Sequence, residues 1–427
     1  MGRTRITFTA GVAALAVVYY LFSGSSGDTG SSADTGSSGD KRQAAVDKAS
    51  RGEGVPSGRD WTVFRGDPRF HGYRAQKISD TPELLWTYDT GDAVESTAAI
   101  ADGKVFVGTA EGLLLGLELS APDEKGKLLW KFKAEGGIRS SPSYRDGKLY
   151  FGDDYGMFYA VDARSGRKVW SLDTEGAEII ASANFSGDNV LFGSYDHRLY
   201  CRDARTGKEV WTFETSAPIH SSPALVGGKT FVTGCDEVLR VVDVATGKET
   251  MQMQMSSYTM ASPAVADSML YVGTFANEFT AIDWQKGEVV WTYRHPQRSF
   301  PFAASAALAK DRLVVGGRDK IVHCLDRQSG LALWEFRTQA RIDCSPLIAG
   351  DRVVVGSSDK NLYLLDLASG KEVWRYAADG AFIASPALSR GRLVIGADNG
   401  LVYCFDVTGK TPPRPETPGP AGGEGER

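Results

Sequence analysis

The chain is poor in the residues that most enzymes rely on. Five histidines, His71, His197, His220, His295 and His323, are scattered through 427 residues without a paired motif. Neither H-E-x-x-H nor a cysteine–histidine cluster occurs, so metal-assisted hydrolysis has no ligand set, and no motif joins a nucleophile to a base. Cysteine is equally sparse: Cys201, Cys235, Cys324, Cys344 and Cys404 are odd in number and lack C-x-x-C spacing. Three of them fill the small strand position held elsewhere by Ala160 and Ala281, so free core thiols are expected rather than disulfides or metal ligands. No basic cluster exists, and 48 basic against 53 acidic residues give a formal charge of -5, which offers nucleic acid no general attraction.

Only one long apolar run is present, the 17 residues from Ile6 to Phe22. That is the short end of what spans a bilayer. Arg3 and Arg5 stand before it and Asp28, Asp34 and Asp40 after it, which favours an inside amino terminus and an exported remainder. With no A-x-A site, residues 1–22 are expected to be a retained transmembrane helix; Ser23 and Ser25 leave a cleaved signal peptide as the alternative. The body is then held at the cell membrane on its periplasmic or extracytoplasmic side, or is free there after cleavage. Residues 23–60, rich in Ser, Gly and Asp, read as a disordered linker. Residues 61–80 read as a leader that docks on the folded body, and 411–427 as a Pro/Gly-rich disordered tail.

What is abundant is repetition. Trp86, Trp130, Trp170, Trp211, Trp291, Trp334 and Trp374 are spaced by 44, 40, 41, 80, 43 and 40 residues, with Met251 in the slot skipped by the long gap. Within each period a small-Ser-Pro opening precedes an apolar strand ending in Gly, a polar turn, a second strand, a Ser/Thr-Gly turn and a strand reaching the Trp. Short alternating strands at a period near 40 describe a four-stranded propeller blade. Asp162, Asp203, Asp243, Asp283, Asp326, Asp366 and Asp406 each precede a turn, where a carboxylate can accept backbone N–H groups and the Gly beyond takes positive φ. That column is turn chemistry rather than catalysis. The Trp column is expected to close each blade on its neighbour.

The Ser/Thr openings are Thr97, Ser141, Ser182, Ser222, Ser262, Ser305, Ser345 and Ser385. The last unit stops before its outer strand, while a spare outer strand around Trp86 precedes the first. Pairing the two removes open edges. The expected fold is therefore all-β, an eight-bladed propeller over residues 81–410, closed by the strand around Trp86.

The strings GDDYGMFYAVDARSGRKVW and GSSDKNLYLLDLASGKEVW resemble the pyrroloquinoline-quinone-like (PQQ-like) propeller repeat, and the resemblance covers residues 81–410. It implies one of two function classes. One is a quinone-dependent dehydrogenase, with the quinone and a calcium ion above the axis. The other is a non-enzymatic module, as in the propeller lipoprotein of outer-membrane assembly, which binds partner proteins through loops on one face. This chain has no adjacent cysteine pair, no assignable calcium ligand set and no long inter-blade insertions, which favours a monomeric, tethered interaction scaffold or sensor in the cell envelope without cofactor or metal. It also has no lipidated cysteine near its apolar run. PQQ with calcium belongs only to the dehydrogenase alternative.

Two candidate sites stand out. The residue two before each Ser/Thr should border the axial channel, giving Glu95, Arg139, Ile180, His220, Met260, Ala303, Asp343 and Ile383. Their ionisable members, Glu95, Arg139, His220 and Asp343, could form a ligand or partner site at the channel mouth, or a solvated rim with Glu95 and Arg139 paired. Between blades five and six the insertion RHPQRSFPF carries Arg294, His295, Arg298, Phe300 and Phe302, and exposed aromatics beside arginine suit a partner loop.

Overall fold

A computed structural model describes residues 60–121 and 124–410. The expected transmembrane helix, most of the linker and the tail lie outside the described residues. Among the described residues no helix is long and apolar enough to cross a membrane.

Eight sheets, each with four antiparallel strands and one of them with a fifth strand added, follow one another around a ring. Blade two is representative, with strands Ser143–Arg145, Lys148–Gly152, Met157–Asp162 and Lys168–Asp173 running from the axis outward. The middle strands are buried on both faces and the outer strand alternates with solvent, which explains the continuous apolar runs and the alternating ones in the sequence. Blade eight takes its outer strand, Glu83–Asp89, from before the first blade. It pairs antiparallel with Leu401–Asp406, placing Trp86 opposite Cys404.

The repeated residues act between blades. Trp86, Trp130, Trp170, Trp211, Trp291 and Trp334 each donate their indole N–H to a backbone carbonyl of the next blade, at 2.8–3.2 Å. Each ring also covers a turn of that blade. At Gly370, where φ is +70°, a Cβ would lie 2.5 Å from the Trp334 ring, so only glycine admits both the conformation and the indole. The aspartates hold those turns: Asp366 Oδ1 accepts from the Ser369 N–H at 2.9 Å and its hydroxyl at 2.7 Å. These bonds keep the Asp366 carboxyl below its ordinary range, with the Ser369 side chain the largest cause.

The Ser column has a role that periodicity alone did not disclose. Ser141, Ser182, Ser222, Ser262, Ser305, Ser345 and Ser385 each accept, through Oγ, the backbone N–H of the preceding blade's Thr or Ser at 2.9–3.0 Å. A belt of hydroxyls thus ties neighbouring blades around the axis. Blade four has Met251 in place of the Trp, among the described residues no atom approaches the Gly287 turn of blade five as an indole does elsewhere, and Trp284 of blade five packs edge-on against Phe231, with ring centroids 5.1 Å apart. In MQMQM, Met251, Met253 and Met255 turn inward and Gln252 and Gln254 outward, consistent with core filling.

Four cysteines are buried, and burial pushes the thiols of Cys201, Cys324, Cys344 and Cys404 up to about 12. Cys235 departs from the expectation because it sits on a turn tip and is exposed.

Candidate functional site at the channel mouth

Two ends of the axis differ. Toward the far end of the inner strands lies the leader, which crosses the whole ring. Trp61 exchanges two 2.8 Å backbone bonds with Ile100 of blade one, and Thr62 O accepts from Tyr144 of blade two. Asn184 and Leu225 of blades three and four both donate to Pro68 O. Arg69, His71 and Gly72 then accept from Val265, Leu308 and Ile348 of blades five to seven, and Ser79 donates to Val407 of blade eight. Tyr73–Arg74 pairs parallel with the inner strand Leu347–Ala349, so blade seven has a fifth strand.

At the centre of this strap Arg65 is fully buried in a left-handed turn, φ 60°. Its guanidinium donates to the carbonyls of Ser345 at 3.1 Å, Ala306 at 3.2 Å and Pro346. Burial lowers its pKa to about 10, so it stays charged at neutral pH. Its Nε has no acceptor and no accessible surface, so Arg65 is a packed plug rather than a ligand contact.

The other end is the mouth. Every residue of the channel column, from Glu95 to Ile383, is half-buried or exposed while both of its neighbours are buried, which is the pattern of side chains lining a wet opening. The four ionisable members do not converge. Arg139 reaches Asp154 at 2.9 Å and Glu178 at 3.5 Å, and Glu95 acts on it only through its field. The expected Glu95–Arg139 pair is therefore replaced by partners on a turn tip and a neighbouring blade, because the guanidinium extends across the rim rather than back along it. Asp343 belongs to a separate group, held by Arg318 and Arg341 at 2.7 Å each.

His220 accepts or donates one 2.6 Å bond with the Tyr195 hydroxyl. Burial, with the nearby Arg139 charge second, lowers its pKa from 6.5 to about 4. The folded state therefore holds a neutral imidazole, and the unfolded chain binds the proton first as pH falls. Stability from this group is complete above pH 6.5 and is lost as pH drops toward 4, on the order of 3–4 kcal/mol at about 1.4 kcal/mol per pKa unit. Urea titrations at intervals across that window are expected to show a shallower acid slope in H220Q than in wild type.

The mouth face also carries the exposed aromatics. Tyr155 is 64% exposed, Phe300 48% and Tyr258 39%, and among the described residues no exposed aromatic lies elsewhere. Tyr258 stacks on Phe275 with centroids 4.5 Å apart, and Arg318 lies over that ring at 5.6 Å. The insertion is folded back more than expected. Phe302 is 2% exposed, wedged against Phe279, Tyr293 and His323, so it anchors the loop instead of displaying it. His295 is drawn in toward Glu335 at 3.4 Å. Arg294 pairs with the buried Glu278, Arg298 donates to Asp319 O at 2.9 Å, and Phe300 remains outside. Sequence reading missed Tyr155, Tyr258, Asp154, Glu178, Arg318 and Arg341. They occupy turn tips and connections whose register with the channel column could have been counted from the repeat.

The sequence profile of the family described as Outer membrane protein assembly factor BamB matches residues 74–184, 159–299, 196–340 and 318–412. The chain belongs to this PQQ-like propeller family. No curated protein matches the sequence. Among solved structures, BamB from Moraxella catarrhalis is 19% identical with a TM-score of 0.64, over 76% of this chain and 98% of that one. A quinohemoprotein alcohol dehydrogenase from Comamonas testosteroni is 14% identical with a TM-score of 0.72, over 88% and 86%. The computationally designed Ika8 protein is 17% identical with a TM-score of 0.66, over 76% and 100%. The fold is thus shared with BamB, a dehydrogenase and a designed protein, and at these identities the likeness carries fold and no activity.

Proposed function

We propose that the chain is a non-enzymatic interaction module of the cell envelope, held at the membrane by residues 6–22, which presents its channel-mouth face to a protein partner. The observation that carries this reading is the confinement of exposed Tyr155, Tyr258 and Phe300 to that one face, interleaved with arginine. The large hydrophobic residues that the outer strands expose are aliphatic, such as Val210 and Leu333.

The dehydrogenase reading finds less support in the residues. Arg139, Arg318 and Arg341, the cations that could meet the carboxylates of a quinone, are already paired with carboxylates of the chain. Among the described residues no three His, Cys, Asp or Glu side chains stand where they could hold a metal ion.

A photo-cross-linking residue placed at Tyr155 or Phe300 in membranes is expected to trap a discrete protein partner, and the same residue at Val210 to trap none. Titration of the full chain with pyrroloquinoline quinone, with and without calcium, is expected to leave its melting temperature unchanged. A stoichiometric complex that stabilises the protein would overturn the proposal, since a ligand of the native state must raise stability.

A further inference from the structure

The insertion between blades five and six differs from the rest of the mouth in its charge balance. Its backbone, from Arg294 to Ser299, and the turn tip Ala276–Asn277 enclose an open cleft of about 390 Å³ lined by both arginines, His295, Gln297 and Asn277. The Asn277 amide donates to Ser299 Oγ at 2.8 Å and Gln297 N–H to His295 Nδ1 at 3.1 Å, so the walls are held by the chain's own bonds. Glu278 is the carboxylate at Arg294, and it is buried beneath the cleft. His295 faces Glu335. Arg298 spends one N–H on the Asp319 carbonyl, and among the described residues no carboxylate pairs with it. A chain whose net charge is -5 thus places a half-exposed, uncompensated guanidinium in a concavity beside the exposed Phe300.

We infer that this cleft receives an acidic side chain of the protein partner, with an adjoining apolar residue laid against Phe300. The inference rests on the interaction reading and supplies the chemistry of the partner. A guanidinium with free donors is matched by a planar carboxylate, which it can grip through two parallel N–H bonds. A basic segment is disfavoured there by like charge. A purely apolar one would leave the Arg298 donors desolvated and unpaired.

The test is selection of short random peptides on the full-length protein in detergent micelles. Peptides bound at the mouth are expected to be enriched in Asp or Glu next to a large apolar residue. Their affinity should fall with salt and drop about 10- to 100-fold in R298S, the loss of one charge-assisted pair. R298K keeps the charge but not the fork, and should recover part of the affinity; equal melting temperatures for both variants exclude unfolding as the cause. Peptides that bind R298S as well as wild type, or that show no acidic preference, would overturn the acidic partner and leave the interaction reading standing. Absence of any peptide binding, together with silent cross-linking at Phe300, would remove both.

Discussion

Replacing Arg65 by alanine is expected to destabilise the propeller by roughly 3–5 kcal/mol, among the largest effects of any single substitution. The guanidinium is fully buried and serves the carbonyls of Ser345, Ala306 and Pro346 from the centre of the leader. Truncation leaves those acceptors dry, and an unsatisfied buried polar group costs about 1–3 kcal/mol. It also opens a cavity where the leader meets blades six and seven. Lysine at the same place can reach one carbonyl but not three, so R65K should fall between the two. Urea denaturation decides the matter: a midpoint shift equivalent to less than ~1 kcal/mol would mean that the strap merely lies on the ring.

Trp86→Ala is expected to cost about 3–5 kcal/mol as a large-to-small core change and, beyond that, to change how the molecule unfolds. Trp86 is buried at the seam where Glu83–Asp89 completes blade eight, and its indole donates to Leu119 O of blade one at 3.1 Å. The connection between the blade-one strands Leu113–Glu118 and Leu128–Lys133 leans on the same seam: Glu124 O accepts from Thr87 N–H, and Gly126 lies against the Trp86 ring. Trp170 makes the equivalent bond, to Ala204 O at 3.0 Å, between blades that are continuous in sequence. The comparison isolates closure from the indole itself. Hydrogen exchange should show W86A losing protection first in blades eight and one, and W170A losing less and only locally. Equal, uniform losses in both would indicate that closure adds nothing to the seam.

Much of this architecture was legible because propeller blades restate it. Eight Ser/Thr openings and an outer strand missing from the end had only one economical solution, and Glu83–Asp89 pairs where that solution puts it. The turn role of Asp366 and the blade-closing role of Trp334 were readable from spacing, since a residue that recurs at fixed offset must answer a recurring geometric need. The mouth was half legible. The column Glu95, Arg139, His220 and Asp343 is more open to solvent than its buried chain neighbours, as counted from the repeat, but ion pairs depend on where long side chains reach. Arg139 found Asp154 on a turn tip instead of Glu95. Phe302 illustrates the remaining gap: in an irregular loop no period tells inward from outward, and its neighbour two residues earlier, Phe300, went the other way.

The leader has a consequence in time as well as in space. It is made before any blade of the ring, and its hydrogen bonds extend from Ile100 to Val407. The carbonyls that hold Arg65 come 241 to 281 positions later. The partner of the closing strand, Leu401–Asp406, is later still. No ribosome or export channel can therefore release a finished ring piece by piece: the early blades must wait with an unsealed axis until the last one arrives. Folding dominated by such distant pairings is slow and leaves strand edges open meanwhile. For this chain the vulnerable interval ends when the eighth blade emerges and the strap is drawn shut.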